Sequence, residues 1–153
     1  MRKGVLHHRA FPGVGRLSES VTRVLSTEPV RFAYLFGSHA WGHPDRESDI
    51  DIAVYADPAL TKEQRWDLRM KLLGSISAAL HLPIDRIDLV VLQDSPPLLQ
   101  WNIARTGVCV FERSASERNL AVLRIEQAYD DEKPHIRMEG EDTLRKILTQ
   151  PLL

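Results

Sequence analysis

The run DIDIAV, residues 49–54, sets two carboxylates, Asp49 and Asp51, two positions apart among Ile50, Ile52, Ala53 and Val54. Side chains alternate faces along a strand, so both carboxylates share one face while Ile50 and Ile52 share the other. Two carboxylates about 4 Å apart repel by roughly 4 kcal/mol at an effective dielectric near 20. A shared proton or a cation must offset that repulsion. Oxygen ligands select a hard cation, and Mg²⁺ characteristically takes one or two carboxylates together with substrate phosphates.

A third acid belongs to the same chemistry. Asp88 interrupts the apolar run Ile87, Leu89, Val90, Val91. An isolated buried charge is costly, so Asp88 must reach solvent, a partner or a metal. Asp85 competes for this role, but it lies in the turn before the run and can be solvated there. Upstream, ten residues separate Gly37-Ser38 from Asp49. Gly37 lets the backbone turn tightly and approach a ligand closely, and Ser38 supplies a hydroxyl donor. A helix starting at about His39 would add free N–H groups and the positive end of its dipole, a grip for phosphate. The pattern GxxxxGK[ST] is absent, so this is not a Walker loop.

These groups need strands and turns to hold them. Leu17, Val21, Val24 and Leu25 share a helical stripe over 16–26, and Glu28-Pro29 ends it. Residues 31–36, RFAYLF, predict a strand, and a second runs from Asp49 to Tyr55. Gly42-His43-Pro44 breaks the short helix between them. Residues 58–81 are helical, with Trp66, Met70, Leu73, Ile76 and Leu80 as the expected buried stripe and Arg65, Arg69 and Lys71 as a solvated face. Residues 86–92 form a third strand. A helix starts at Ser95-Pro96-Pro97 and stops at Gly107. Residues 108–112 form a fourth strand. A helix over 115–129 has Leu123, Ile125 and Tyr129 as buried candidates. Residues 130–142, broken by Pro134 and Gly140, predict a surface connector, and 143–153 an amphipathic end. The alternation implies an α/β (α+β) domain, a small sheet covered by helices. Residues 1–112 form its core with the N-terminal helix, and 113–153 a helical extension.

Composition narrows the function. The chain has 153 residues, 43% apolar, with formal net charge −1. That is one domain, with no global field to draw it onto nucleic acid or an anionic membrane. No apolar run approaches a membrane span, and the N-terminus lacks the apolar core of a secretory signal. A cytoplasmic protein is expected. Cys109 is the only cysteine, which excludes an internal disulfide. It reads as a small buried hydrophobe. The six histidines show no ligand spacing and read as solvated or capping residues. His39 and His43 lie inside the motif and are candidate pocket residues.

Assembled, these parts suit chemistry at the α-phosphate of a nucleoside triphosphate. Ser38 and nearby amides would hold phosphates, and Asp49 and Asp51 the metal. A second ion between the pair and Asp88 would activate an acceptor hydroxyl, with Asp88 taking its proton.

The segment GSHAWGHPDRESDID, residues 37–51, resembles the GSx10DxD signature of polymerase-β-like nucleotidyltransferases. With the later IDLVVL strand and the chain length, it is similar to the minimal nucleotidyltransferases of HEPN/MNT toxin–antitoxin pairs. The resemblance covers roughly residues 30–112. It implies a mixed sheet, Mg²⁺ (two ions), ATP as donor, and AMP transfer to a tyrosine of a cognate HEPN ribonuclease toxin, which is thereby silenced. Asp49, Asp51 and Asp88 carry over as metal ligands and catalytic carboxylates, and Gly37 and Ser38 as the nucleotide grip. Trp41 stands where the family often has Arg, and Arg46 is the candidate substitute. Two alternatives stay open. One is transfer to a small-molecule hydroxyl, as in antibiotic-modifying relatives. The other is an inactive antitoxin that works by occlusion.

Overall fold

The computed structural model describes residues 14–37 and 49–148, with side chains to 133. The expectations for 1–13, for the loop 39–48 and for 149–153 lie outside these residues. Helix α1 (Val14–Ser26) leads into strand β1 (Val30–Phe36). Strand β2 (Ile50–Ala56), helix α2 (Lys62–Leu80) and strand β3 (Ile87–Val91) follow. Then come helix α3 (Pro97–Thr106), strand β4 (Val108–Glu112) and helix α4 (Ala115–Leu148). The four strands form one sheet in the order β3-β2-β1-β4. β1 is antiparallel to both β2 and β4, whereas β2 and β3 are parallel. The sheet is therefore mixed, as expected.

Alternation along the strands divides the core in two. One sheet face buries Ala33, Leu35, Ile52, Val54, Leu89 and Val91 under Val21 and Leu25 of α1 and Leu68, Leu72 and Ile76 of α2. The other carries Phe32, Tyr34 and Ala53, packed with Leu92, Ile103 of α3 and Ala121 of α4. Phe32 stacks on Tyr55 across the strands, centroids 4.6 Å apart. Burying a large apolar side chain contributes about 1.5–3 kcal/mol, so the two layers hold the sheet from both sides.

Helix ends follow local chemistry. Thr61 and Gln64 form a reciprocal capping box at the start of α2. His81 closes that helix in the left-handed conformation, φ 53°, with its N–H turned back to Ser77 and Ala78 carbonyls, so this histidine does cap. Gly107 N–H donates to Ile103 O at 2.8 Å and ends α3 where expected.

Three side chains act as backbone clips. Arg113 donates to the carbonyls of Ser26, Glu28 and Val30, fastening the end of β4 to the α1–β1 turn. Gln93 accepts from Ala56 N–H and donates to Ala56 O, taking the place of a strand partner. Arg69 donates to Leu89 O at 2.7 Å and ties α2 to β3.

Some expectations fail. Trp66 and Met70 are 59% and 42% exposed; the stripe that faces the sheet is Leu68, Leu72 and Ile76. Arg65 and Arg69, expected to be solvated, instead bind Asp94 and Leu89 O. Leu123 is 56% exposed, while Ala121 and Ile125 are buried. Tyr129 is half-buried and stacks on Trp101. Finally, α4 continues through 130–142 without a connector. Pro134 lacks the N–H for one ladder bond and is unfavourable inside a helix, yet α4 runs on to Leu148. No helix among the described residues is long and apolar enough to cross a membrane.

Candidate active site

The end of β1 and the starts of β2 and β3 meet at one edge of the sheet, because β1 is antiparallel to β2 and β2 is parallel to β3. Asp51 lies in the ladder between Phe36 of β1 and Asp88 of β3. Adjacent strands are about 4.8 Å apart, and in-register residues point to the same face. Asp51 and Asp88 are therefore lateral neighbours on the face opposite Ile50, Ile52 and Leu89. Asp49 stands one residue before β2, which begins at Ile50. Asp49 and Asp88 are exposed and Asp51 is partly covered. Solvent reaches the acids, which answers the requirement that Asp88 not be sealed in the core.

Gly37 joins this group directly. Its φ is +68°, and a Cβ on it would lie 2.1 Å from Asp51 Oδ2. Glycine is needed twice here, for a left-handed backbone and for the space that the Asp51 carboxylate fills. The first residue of the expected phosphate grip is thus in contact with the second residue of the carboxylate pair. Ser38 lies outside the described residues, as do Trp41, Arg46, His39 and His43.

Sequence reasoning missed Arg86. Its Nε is 3.5 Å from Asp49 Oδ1, and the two side chains are 33% and 56% exposed. The pair arises because Ile87 aligns with Ile50 in the parallel ladder, which sets the preceding residues side by side. A basic residue two positions before Asp88 was visible in the chain, but its partner depends on a register that the chain does not display.

Does this arrangement fit a divalent ion? Among the described residues, no three His, Cys, Asp or Glu side chains close into a cage of their own. The donors are carboxylate oxygens on adjacent strands, open to solvent, beside a glycine cradle. That is an open half-shell, suited to an ion that completes its coordination with water and phosphate. It does not suit a structural metal held by protein alone.

The same sheet face carries a second polar group, at the β1–β4 side. Arg118 Nε donates to Glu112 Oε2 at 2.5 Å. Burial opposes the Arg118 charge, but hydrogen bonds to Tyr34 and Glu112 outweigh it and hold the guanidinium protonated. Burial pushes the Tyr34 phenol upward, with Arg118 opposing in part. Burial likewise raises the Cys109 thiol, in keeping with a half-buried small hydrophobe rather than a nucleophile. Elsewhere, the hydrogen-bonded Arg65 holds the Asp94 carboxyl below the usual range. A groove of about 300 Å³ between α2 and β3, lined by Trp66, Arg69, Val90 and Asp94 among others, includes none of the site carboxylates.

Comparison with known proteins gives the family. Protein adenylyltransferase MntA of Shewanella oneidensis MR-1 is 43% identical over 96 residues, 63% of this chain. The match spans 64% of that relative's length. A crystal structure of a toxin–antitoxin with AMP-PNP superposes with TM-score 0.63 at 25% identity, covering 86% of this chain and 98% of that one. A structure of tri-AMPylated Shewanella oneidensis HEPN toxin in complex with MNT antitoxin shares the fold, with TM-score 0.58, 23% identity, and 87% and 97% of the two chains covered. Residues 19–116, from α1 through β4 into the start of α4, match the family described as Polymerase beta, Nucleotidyltransferase. Glycine cradle, paired acids and mixed sheet all fall inside that match, and the chain belongs to the polymerase beta nucleotidyltransferase family.

Proposed function

We propose that this chain is an Mg²⁺-dependent protein adenylyltransferase. It transfers AMP from ATP to a tyrosine hydroxyl of a HEPN ribonuclease toxin and so serves as the antitoxin of the pair. The observation that carries the reading is the contact between Gly37 and Asp51, with Asp88 beside Asp51 in register. The closeness of Gly37, Asp51 and Asp88 supports roles in one site for them. The MntA relative is named for protein adenylylation, and the related structures hold a toxin–antitoxin with AMP-PNP and an AMPylated HEPN toxin.

In this reading Asp49, Asp51 and Asp88 hold Mg²⁺, two ions in the full complex, and Gly37 with Ser38 holds the triphosphate. When bound, the metal neutralises phosphate charge and lowers the pKa of the acceptor hydroxyl. Asp88 takes the phenol proton. The phenol oxygen forms a bond to the α-phosphorus as the bond from that phosphorus to the pyrophosphate oxygen breaks, and pyrophosphate leaves in line. The open carboxylate edge leaves room for a protein segment to present its tyrosine. A cytoplasmic location goes with an ATP-using antitoxin.

Incubation of the purified chain with its candidate HEPN partner, ATP and Mg²⁺, followed by intact-mass measurement, tests the proposal. A gain of one or more AMP units on the partner, lost when Mg²⁺ is chelated, is expected. An unmodified partner that is nonetheless inhibited would replace transfer with occlusion.

A further inference from the structure

We propose that Arg86 is a built-in counter-ion that competes with the divalent cation for Asp49, so that this ligand is released to metal chiefly when nucleotide is present. The inference rests on the metal-site reading above and adds a residue to it. Asp51 and Asp88 stand side by side in register, and Asp49 directly precedes β2; neighbouring carboxylates repel when no cation is bound. Arg86 pairs with Asp49. It is placed there by the backbone: the parallel ladder from Ile50–Ile87 onward brings the residues before it alongside.

The pair is built to be displaced. At 3.5 Å it is longer than a tight charge-assisted hydrogen bond. Asp49 is more than half exposed, so water screens the attraction. A guanidinium cannot lose its proton near neutral pH, so the competition persists at every working pH. Metal arriving alone must overcome the Arg86 charge. Metal arriving with a triphosphate brings negative charge that offsets it. Nucleotide and metal therefore bind with positive coupling, and by linkage the coupling is reciprocal. A guanidinium that merely tied β2 to β3 would produce no such coupling.

Mn²⁺ titration followed by electron paramagnetic resonance tests this on the full chain, with and without a non-hydrolysable ATP analogue. The variants are Arg86→Gln, Arg86→Lys and Asp51→Asn. Removing an exposed ion pair of this kind should tighten binding of Mn²⁺ alone by about two- to fivefold in Arg86→Gln. The factor by which the analogue enhances Mn²⁺ binding should shrink in the same variant. Arg86→Lys keeps the charge and should behave as wild type. Unchanged or weaker Mn²⁺ binding in Arg86→Gln, with native circular dichroism, would reduce Arg86 to a strand clip and overturn the inference. Failure of the metal-site reading has a different signature: Mn²⁺ binding by the wild type that Asp51→Asn leaves intact.

Discussion

The two faces of the sheet are made by the same strands and have opposite characters. The face under α1 and α2 is wholly apolar, with Leu35, Ile52, Val54 and Leu89 inaccessible. The face toward α3 and α4 changes character along its length. Aromatic rings and Ile103 cover its middle, while Asp49, Asp51 and Asp88 occupy its open edge. One residue of offset in β2 separates the core from a candidate site acid: Ile50 and Ile52 face one way, Asp51 the other. Stability and reactivity can therefore be perturbed independently, although their residues alternate in the chain.

The strongest separation should come from Asp49→Ala combined with Asp51→Ala. AMP transfer should fall by at least about 10²–10³-fold, with the melting temperature little changed, because Asp49 is exposed, Asp51 is only partly covered, and the Arg86 pair that is lost is screened by water. Rate measurement beside thermal unfolding checks both halves. Full neutralisation of the toxin by this variant in co-expression would discard the enzymatic mechanism.

Leu72→Ala should do the reverse. Truncation on the closed face should cost about 2–5 kcal/mol of stability, read from denaturant midpoints, while the folded fraction keeps its specific transfer rate.

Gly37→Ala crosses the divide. The left-handed backbone adds about 1–2 kcal/mol of strain, and the new methyl displaces the Asp51 carboxylate, so activity should drop about a hundredfold. Gly74→Ala is the matched control. That glycine lies in α2 with nothing within 4 Å of an added Cβ, and the substitution should stabilise by about 1 kcal/mol with activity unaltered.

Alkali gives the smallest effect. The folded pKa values of Tyr34 and Cys109 lie above their ordinary ones, so the unfolded chain releases those protons first. Their contribution is complete below about pH 8.5 and declines as pH rises past about 10. Thermal unfolding across that range should show the decline, and Tyr34→Phe should reduce it.

How much of this could be read from the chain differs between strands and helices. All four strands were legible, because short apolar runs bounded by turns leave few alternatives. The opposite facing of Asp51 and its neighbours Ile50 and Ile52 followed from a period of two. In α2, two apolar stripes overlap, Trp66-Met70-Leu73 and Leu68-Leu72-Ile76. Periodicity alone does not say which one meets a sheet whose position is fixed by distant residues. Proline and glycine suggested breaks in α4 that the helix does not make. The Arg86–Asp49 pair and the Gly37–Asp51 contact depend on register across strands, and no local pattern encodes that.

The Arg113 clip has a consequence for dissecting the molecule. A natural place to divide core from extension is the end of β4. The next residue, however, is the one whose guanidinium gathers three carbonyls from the first turn of the fold. Four residues further on, Glu117 pairs with Arg31 of β1, and Ala121 and Ile125 are buried. A chain ending at Glu112 would keep every strand and every catalytic candidate, yet lose the latch on its own beginning. The contacts that hold the start of α1 and β1 in place thus extend further along the chain than the candidate site residues do.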